Sequence, residues 1–304
     1  MLRATYASPR SITVSSLAAF VADAVVMLGL FIAIGPSVAE AQTADFETTR
    51  IAEGVYQYRW QAHNGFFVVT PAGVVAVDPI SPEAAIQYAR EIKKVAPDVP
   101  LVAVIYSHQD ADHATGAPSL MSEMGQTVPI IAHRNSVADL TAATSVDLPV
   151  PTVTYQEYLS LDLDGRRVEL YYVGANHTDN STVVYVPDAR VAFAVDFVSH
   201  DRVGYQRLPG WIFPDFFASM PRLLEIPFET IVFGHGPAGD RTSIHRQIKY
   251  YDQIRAEVRK ALSAGWSEDR AAQEIRLPEY SDWEQYDAWF PLNVRAIYRW
   301  MAGR

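Results

Sequence analysis

The segment from His108 to His113 carries four side chains of metal-binding types within six positions, in the order His-Gln-Asp-Ala-Asp-His. In an extended chain, residues two apart point to the same side, so His108 and Asp110 can contact one cation. Helical sequence follows, and Asp112 and His113 then point in another direction, where they can reach a second cation. Taken alone, the segment fits a polar loop with two surface histidines equally well.

Three further residues of metal-binding types each follow an apolar, strand-like run. They are His177 after the run that ends at Val173, Asp196 after Val195, and His235 after Gly234. The ends of strands are where α/β proteins collect functional groups. A single histidine in such a place is more often a hydrogen-bonded core residue, but three such positions together with the first segment favour a metal centre.

Strand-like and helical patterns alternate along the chain in an order that positions these residues. Short strands are predicted first, with a turn at Asn64-Gly65, and a helix begins at the Ser81-Pro82 cap. The continuous apolar run from Leu101 to Tyr106 is typical of a strand that is covered on both faces. Strands resume later, and residues from about 239 to 304 are largely helical in pattern. This order implies two sheets between layers of helices.

The first forty or so residues differ from the rest of the chain. An apolar run from Ala24 to Ile34 is followed by Ala39-Glu40-Ala41, the small-x-small pattern that a signal peptidase cleaves. Residues 1–41 are therefore predicted to be a signal peptide that is cut after Ala41, which makes the protein periplasmic or secreted. No stable membrane insertion is expected after cleavage, and a retained anchor is the alternative.

The composition of the chain excludes several classes of function. With 304 residues, 49% of them hydrophobic, it can form a globular core, and residues 42–304 are predicted to be a single domain. The net charge of −10 leaves no basic surface for nucleic acid, so the expected partner is a small-molecule substrate. The absence of cysteine excludes thiolate nucleophiles and cysteine-ligated zinc, so a metal must be held by histidine and oxygen ligands.

In these features the chain resembles the metallo-β-lactamase superfamily of metallohydrolases, including its glyoxalase II-like members. The resemblance runs through Asp78, the His-x-x-x-Asp-His core of the first motif, and the later His, Asp and His in the same order. It implies an α/β fold, an αββα sandwich of two mixed β-sheets flanked by helices, with a two-metal site at one edge of the strands. The implied ligands are His108, Asp110 and His177 for the first metal, Asp112, His113 and His235 for the second, and Asp196 as a bridge, with Asp78 supporting them by hydrogen bonds.

One residue departs from the family pattern. The usual first motif is His-x-His-x-Asp-His, and Asp110 occupies the place of its second histidine. A carboxylate can still be a ligand, but its charge lowers the Lewis acidity of the first metal. Two divalent cations, three aspartates and a bridging hydroxide then sum to zero. The expected cofactors are two divalent ions, with zinc first and manganese or iron as alternatives.

The function implied by a two-metal site is hydrolysis of a carboxylic ester, lactone or amide, a β-lactam among them, by a metal-bridged hydroxide. Asp112 is the candidate catalytic residue, since it can both bind a metal and take a proton. The candidate substrate contacts are His63, Asn176, His200, Trp211 and Phe213.

Two other functions fit the same motif. Flavodiiron proteins carry a carboxylate at the position of Asp110 and hold a non-haem di-iron centre, so an oxidoreductase is one alternative. The other is a binding protein in which the change at Asp110 has weakened catalysis.

Overall fold

The structure, a computed structural model, describes residues 45–142 and 148–304. The predicted signal peptide, residues 1–41, lies outside the described residues, so its cleavage stays a prediction. Within the described ranges, none of the helices has the length and apolar character needed to cross a lipid bilayer.

The first sheet contains seven strands in their sequence order. The first four strands pair antiparallel, and the fourth to the seventh pair parallel. Every residue of the fourth strand is buried, as expected for a strand covered on both faces. The strands are β1 (Phe46–Ala52), β2 (Val55–Trp60), β3 (His63–Thr70), β4 (Gly73–Val77), β5 (Leu101–Ile105), β6 (Ile130–His133) and β7 (Val153–Tyr155).

The second sheet contains six strands and is also mixed. Neighbouring strands are again consecutive in sequence, from β8 at one edge to β13 at the other. Strands β11 and β12 pair parallel. The strands are β8 (Tyr158–Leu163), β9 (Arg166–Tyr171), β10 (Val183–Val186), β11 (Val191–Ala194), β12 (Thr230–Phe233) and β13 (Gly239–Asp240).

Helices cover the outer faces of both sheets. On the first sheet lie α1 (Pro82–Val95), α2 (Ala111–Ala114), α3 (Ala117–Met124) and α4 (Ser136–Ala142), and on the second lie α5 (Asp215–Leu223), α6 (Arg241–Ser263), α7 (Glu268–Glu274) and α8 (Tyr286–Met301). The predicted cap of α1 is present, because the Ser81 hydroxyl accepts a hydrogen bond from the Ala84 amide at 3.2 Å. Asp240 caps α6 through a reciprocal hydrogen-bond pair with Ser243.

Three apolar layers hold the sandwich together. Between the sheets, Phe66 of β3 stacks on Phe193 of β11 with ring centroids 5.3 Å apart. Outside the first sheet, Tyr88 of α1 stacks on Tyr58 of β2 at 4.5 Å. Outside the second sheet, the largest cluster joins the strands to α5, α6, α7 and α8. The predicted αββα sandwich of two mixed sheets is therefore confirmed.

Two local expectations need correction. The turn predicted at Asn64-Gly65 lies instead at Gln61, whose φ of 52° is left-handed, and Asn64 and Gly65 belong to β3. Gly65 is required there for a different reason, because a Cβ atom on it would lie 2.7 Å from the Asp78 carbonyl oxygen. The sequence patterns also missed α5 and the strands β1, β7 and β13. These elements contain few alternating apolar residues or are too short to show a period.

Candidate metal centre

Loops at one edge of the two sheets bring the seven predicted ligands together. The segment from His108 to His113 follows β5 and includes α2, and His177 lies in the loop between β9 and β10. Asp196 and His235 follow the parallel strands β11 and β12, whose carboxyl ends must lie side by side. Residues far apart in sequence thus meet because two packed sheets end at a common edge.

The first cation site consists of His108, Asp110, His177 and Asp196, whose potential ligand atoms all lie within 4.8 Å of one another. The His108 Nε2 atom is 3.5 Å from Asp110 Oδ2 and 3.3 Å from Asp196 Oδ2. The His177 Nε2 atom is 3.1 Å and 3.5 Å from the same two oxygens. Two nitrogen and two oxygen donors therefore face a common centre.

The second cation site consists of Asp112, His113, Asp196 and His235. His235 Nε2 lies 3.0 Å from Asp196 Oδ1, and His113 Nε2 lies 3.7 Å from Asp196 Oδ2 and 3.8 Å from Asp112 Oδ2. Asp196 belongs to both donor groups, which is where the bridging ligand implied by the family resemblance is expected. Its φ of 67° is left-handed, a conformation that costs on the order of 1–3 kcal/mol in a residue other than glycine and is concentrated at functional sites.

Buried polar contacts hold the ligand rings in place. Asp78, which is fully buried, accepts hydrogen bonds from the Ser107 amide at 2.7 Å and from the Ser107 hydroxyl at 2.6 Å. The same hydroxyl lies 2.9 Å from His108 Nδ1, and Asp78 Oδ2 lies 3.2 Å from His113 Nδ1. The Ser107 contact at His108 Nδ1 leaves the Nε2 atom of that ring to face the candidate cation sites. The His113 Nδ1 atom faces the Asp78 carboxylate but makes no hydrogen bond with it.

Replacing Asp78 with asparagine is expected to weaken cation binding by about 10- to 100-fold, because an amide cannot accept both Ser107 hydrogen bonds and still face His113 with a negative oxygen. The affinity is measured by competition with a coloured chelator. Asp98→Asn, at an exposed aspartate, is the matched control and should leave the affinity unchanged. An unchanged affinity in Asp78→Asn would contradict the assigned support of the two rings.

The carboxyl and imidazole groups of the cluster shift one another's pKa values. Burial raises the pKa of the Asp196 carboxyl, but the charge of His113 and the facing rings of His108 and His235 outweigh it, so the pKa lies well below its ordinary value. Burial lowers the pKa of His108, but the facing carboxylates of Asp110 and Asp196 raise it well above its ordinary value. An imidazole that is protonated beside a carboxylate must lose this proton before its nitrogen can bind a cation. Cation binding is therefore favoured as the pH rises.

The donor set fits divalent cations. Two ligand atoms bonded at ~2.1 Å to one ion lie about 3.0–3.4 Å apart for angles of 90–109°, close to most separations within the two sites. Among the described residues, the Nε2 atoms of His108 and His113 are buried and have no hydrogen-bond partner, as expected for atoms reserved for a metal. Mixed imidazole and carboxylate ligands suit zinc, manganese and iron.

A cavity of about 960 Å³ opens onto the cluster. Asp196 and His235 lie on its floor, and the predicted contacts His63 and Trp211 line it. Sequence reasoning did not single out several of its other lining residues, because nothing in their local pattern distinguishes them from loop residues. These are Gln109, Arg202, Val203, Tyr205 and Ile212.

Three predicted substrate contacts are not among the described residues that line this cavity. Asn176 is fully buried, and its side chain accepts hydrogen bonds from the His177 amide and the Ser181 hydroxyl, so it shapes the loop that carries His177. The His200 ring lies against the Ser243 hydroxyl at 2.8 Å. Phe213 stacks on Phe217 and lines a separate, smaller cavity. Proximity in sequence to a ligand did not determine which way these side chains point.

Two proteins with a named activity are similar to this chain. The alpha subunit of 2,4-dinitroanisole O-demethylase from Nocardioides sp. (strain JS1661) is 28% identical over 235 residues, which cover 75% of this chain and 70% of that protein. The beta subunit of the same enzyme is 22% identical over 262 residues, or 82% of this chain and 79% of that subunit.

Solved structures share the fold. A metallo-beta-lactamase from Pontibacter korlensis superposes with a TM-score of 0.57 at 20% identity, over 67% of this chain and 97% of that chain. A stereoselective inverting sec-alkylsulfatase from Pseudomonas sp. superposes with a TM-score of 0.67 at 18% identity, over 85% of this chain and 50% of that chain. The family model of the metallo-beta-lactamase superfamily matches residues 58–235, more than half of the sequence. Together with the sandwich fold, this match shows that the chain belongs to the metallo-beta-lactamase superfamily.

Proposed function

We propose that this protein is a hydrolase that uses two divalent cations to cleave a carboxylic ester, lactone or amide, a β-lactam among them. The observation that carries the proposal is the position of Asp196, which faces four histidines from two donor sites at the floor of an open cavity. Membership of a superfamily of mostly hydrolytic enzymes supports it. Cations bound here would lower the pKa of a bound water toward ~7 and polarise the substrate oxygen.

Asp112 is the residue best placed to move a proton. Its side chain is 51% exposed, compared with 38% for Asp110 and 15% for Asp196, so it is the cluster carboxylate most open to the cavity. Burial raises its pKa, but the contact with His63 and the charge of His113 lower it to about 2. The carboxylate is therefore ionised at neutral pH, as a cation ligand must be. Its exposure to the cavity, rather than its low pKa, is what supports a role in orienting the attacking water and taking the proton for the leaving group.

The walls of the cavity indicate a substrate with apolar bulk. Trp211, Ile212 and Val203 line it, and Tyr205 lies at its rim with half of its surface exposed. The edge of the Trp211 ring faces His177 with centroids 6.5 Å apart, which brings the apolar wall next to the first cation site. Arg202 also lines the cavity, but its Nε atom lies 3.7 Å from Glu284 Oε1, so part of its charge is already compensated.

The two similar subunits favour a second candidate function, O-demethylation of an electron-poor aryl methyl ether. By hydrolysis, a water molecule would add to the ring carbon that carries the methoxy group, and the bond from that carbon to the methoxy oxygen would break. The methoxy group would leave as methanol with one proton of the water, and the phenol would remain. The reaction would thus need the same activated water as ester hydrolysis. A flat aromatic substrate suits a cavity lined by Trp211 and Tyr205.

The proposal includes export with cleavage after Ala41, a small-molecule substrate, and no nucleic acid partner. N-terminal sequencing of the protein from the periplasmic fraction should begin at Gln42. A mature chain that still begins at Met1 would instead indicate a retained anchor.

The direct test is a substrate panel assayed with the purified full-length chain. It contains chromogenic esters, lactones, a chromogenic β-lactam, a sec-alkyl sulfate and 2,4-dinitroanisole, and elemental analysis accompanies it. We expect hydrolysis of at least one ester, lactone or amide to fall at least about 100-fold on chelation and to return with added zinc or manganese. Two irons with a charge-transfer absorption would favour oxidoreduction, and cation binding without turnover of any substrate would favour a binding protein.

A further inference from the structure

His63 is the fifth histidine of the cluster and the third beside the second cation site. The Nε2 atom of His63 is 3.3 Å from Asp112 Oδ2, and the ligand atoms of His63, Asp112 and His235 all lie within 4.8 Å of one another. The His63 ring is 4.8 Å from the ring of His235 and 5.9 Å from that of His113, measured between centroids. The sequence suggests His63 as a substrate contact, whereas the structure brings it next to the candidate ligands Asp112 and His235.

We propose that His63 is a ligand of the second cation, together with Asp112, His113, Asp196 and His235. The inference rests on the proposed two-cation centre. It adds an imidazole from β3 of the first sheet, and thus from a part of the chain that precedes the first motif.

The separation between His63 and Asp112 favours a shared cation over a direct ion pair. A charge-assisted hydrogen bond between an imidazolium and a carboxylate is about 2.7–2.9 Å long. Two ligands of one ion are instead about 3.0–3.4 Å apart at bond lengths of ~2.1 Å. The observed 3.3 Å falls in the second range, as do two of the four separations quoted for the first cation site.

Hydrogen bonds fix His63 beside His235. Asn64, only 1% exposed, donates its backbone amide to the Gly234 carbonyl at 2.7 Å and its side-chain amide to the carbonyls of Phe233 and Gly236 at 2.8 Å each. His235 Nδ1 lies 2.8 Å from the Ala62 carbonyl, to which it donates. We call these four contacts the hairpin staple. They join the β2–β3 hairpin to the loop after β12, so His63 and His235 are held as a pair.

The additional imidazole changes the character of the second site. With His63, five protein donors face this site, in two groups that share His235: His63, Asp112 and His235, and His113, Asp196 and His235. That is one donor more than a tetrahedral zinc ion accepts. The first site offers four. The second site therefore suits a five- or six-coordinate ion and should hold its cation more tightly than the first site, which keeps more room for the substrate.

The test is cation binding by His63→Ala, measured apart from activity. Equilibrium dialysis against a graded chelator, followed by elemental analysis, gives the number of cations and their affinities. We expect the wild-type protein to bind two cations, and His63→Ala to bind the tighter one at least about 10-fold more weakly, as loss of an imidazole ligand requires. In the cobalt-loaded protein, the visible absorption should change, since it reports the coordination number.

A matched control and a second variant separate ligation from folding. His245→Ala removes an exposed histidine on α6 and should keep both cations at wild-type affinity. Asn64→Ala removes two of the four contacts of the staple but leaves the His63 ring, and should give a smaller loss. If His63→Ala does not fold, anomalous diffraction from wild-type crystals decides the question, with an ion expected within about 2.3 Å of His63 Nε2.

The outcomes distinguish this inference from the proposed function. Two cations in the wild-type protein with unchanged affinity in His63→Ala, or an ion more than about 3 Å from His63 Nε2, overturns the inference alone. Fewer than two cations in the wild-type protein overturns the two-cation centre and the inference with it.

Discussion

Replacing Asp196 with alanine is expected to lower hydrolysis by at least about 10³-fold and to release cations from both sites. The carboxylate is the one group common to the two sites, and its oxygens face His108, His113, His177 and His235 at 3.0–3.7 Å. Its loss removes a ligand from each cation and leaves the imidazoles without the negative charge between them.

The measurement combines turnover of the preferred ester or lactone with cation content after dialysis. Asp282→Ala, at an exposed aspartate that belongs to neither site, is the control and should behave as the wild type. If Asp196→Ala keeps both cations and its turnover is undiminished, the assignment of Asp196 as a ligand in both sites is wrong. Loss of only one cation would show that Asp196 is not a bridge.

Replacing Asp110 with histidine is expected to raise the preference for zinc over manganese by about tenfold or more, because an imidazole suits zinc better than a carboxylate does. The change also restores the usual family motif and adds a unit of positive charge to the first cation site. Anionic substrates should therefore bind more tightly, seen as a lower KM. The preference is measured by loading the protein from an equimolar mixture of the two metals, followed by elemental analysis.

Asp110→Asn separates charge from ligand type, since it removes the negative charge without adding an imidazole. It should lower the KM for anionic substrates but leave the zinc preference nearly as in the wild type. An unchanged metal preference in Asp110→His would mean that Asp110 is not a ligand. A rise in ester hydrolysis by orders of magnitude in Asp110→His would mean that the natural protein is not adapted to ester hydrolysis.

The spacing of residues in the chain predicted that the four side chains of the first donor group lie close together. His108 and Asp110 converge as expected for residues two apart, and His177 and Asp196 join them because each follows a strand. The same rules failed for Asn176 and His200. Both lie near a ligand in sequence, but hydrogen bonds to Ser181 and Ser243 turn their side chains away from the cavity.

The sequence by itself determined the chemistry available to this protein. The lack of cysteine leaves imidazole and carboxylate donors, and apolar runs before Asp196 and His235 place those donors at strand ends. Residue type and local periodicity are properties of the chain alone, so they can be recognised without a structure. They also indicated two sheets between helices, which the structure confirms.

Only the tertiary structure decided which donors lie close enough to share a cation. His63 reaches His235 through hydrogen bonds between residues as much as 173 positions apart, and the bridging position of Asp196 depends on how two sheets pack face to face. Such contacts follow from packing and from the satisfaction of buried polar groups across the whole domain, which no local pattern encodes.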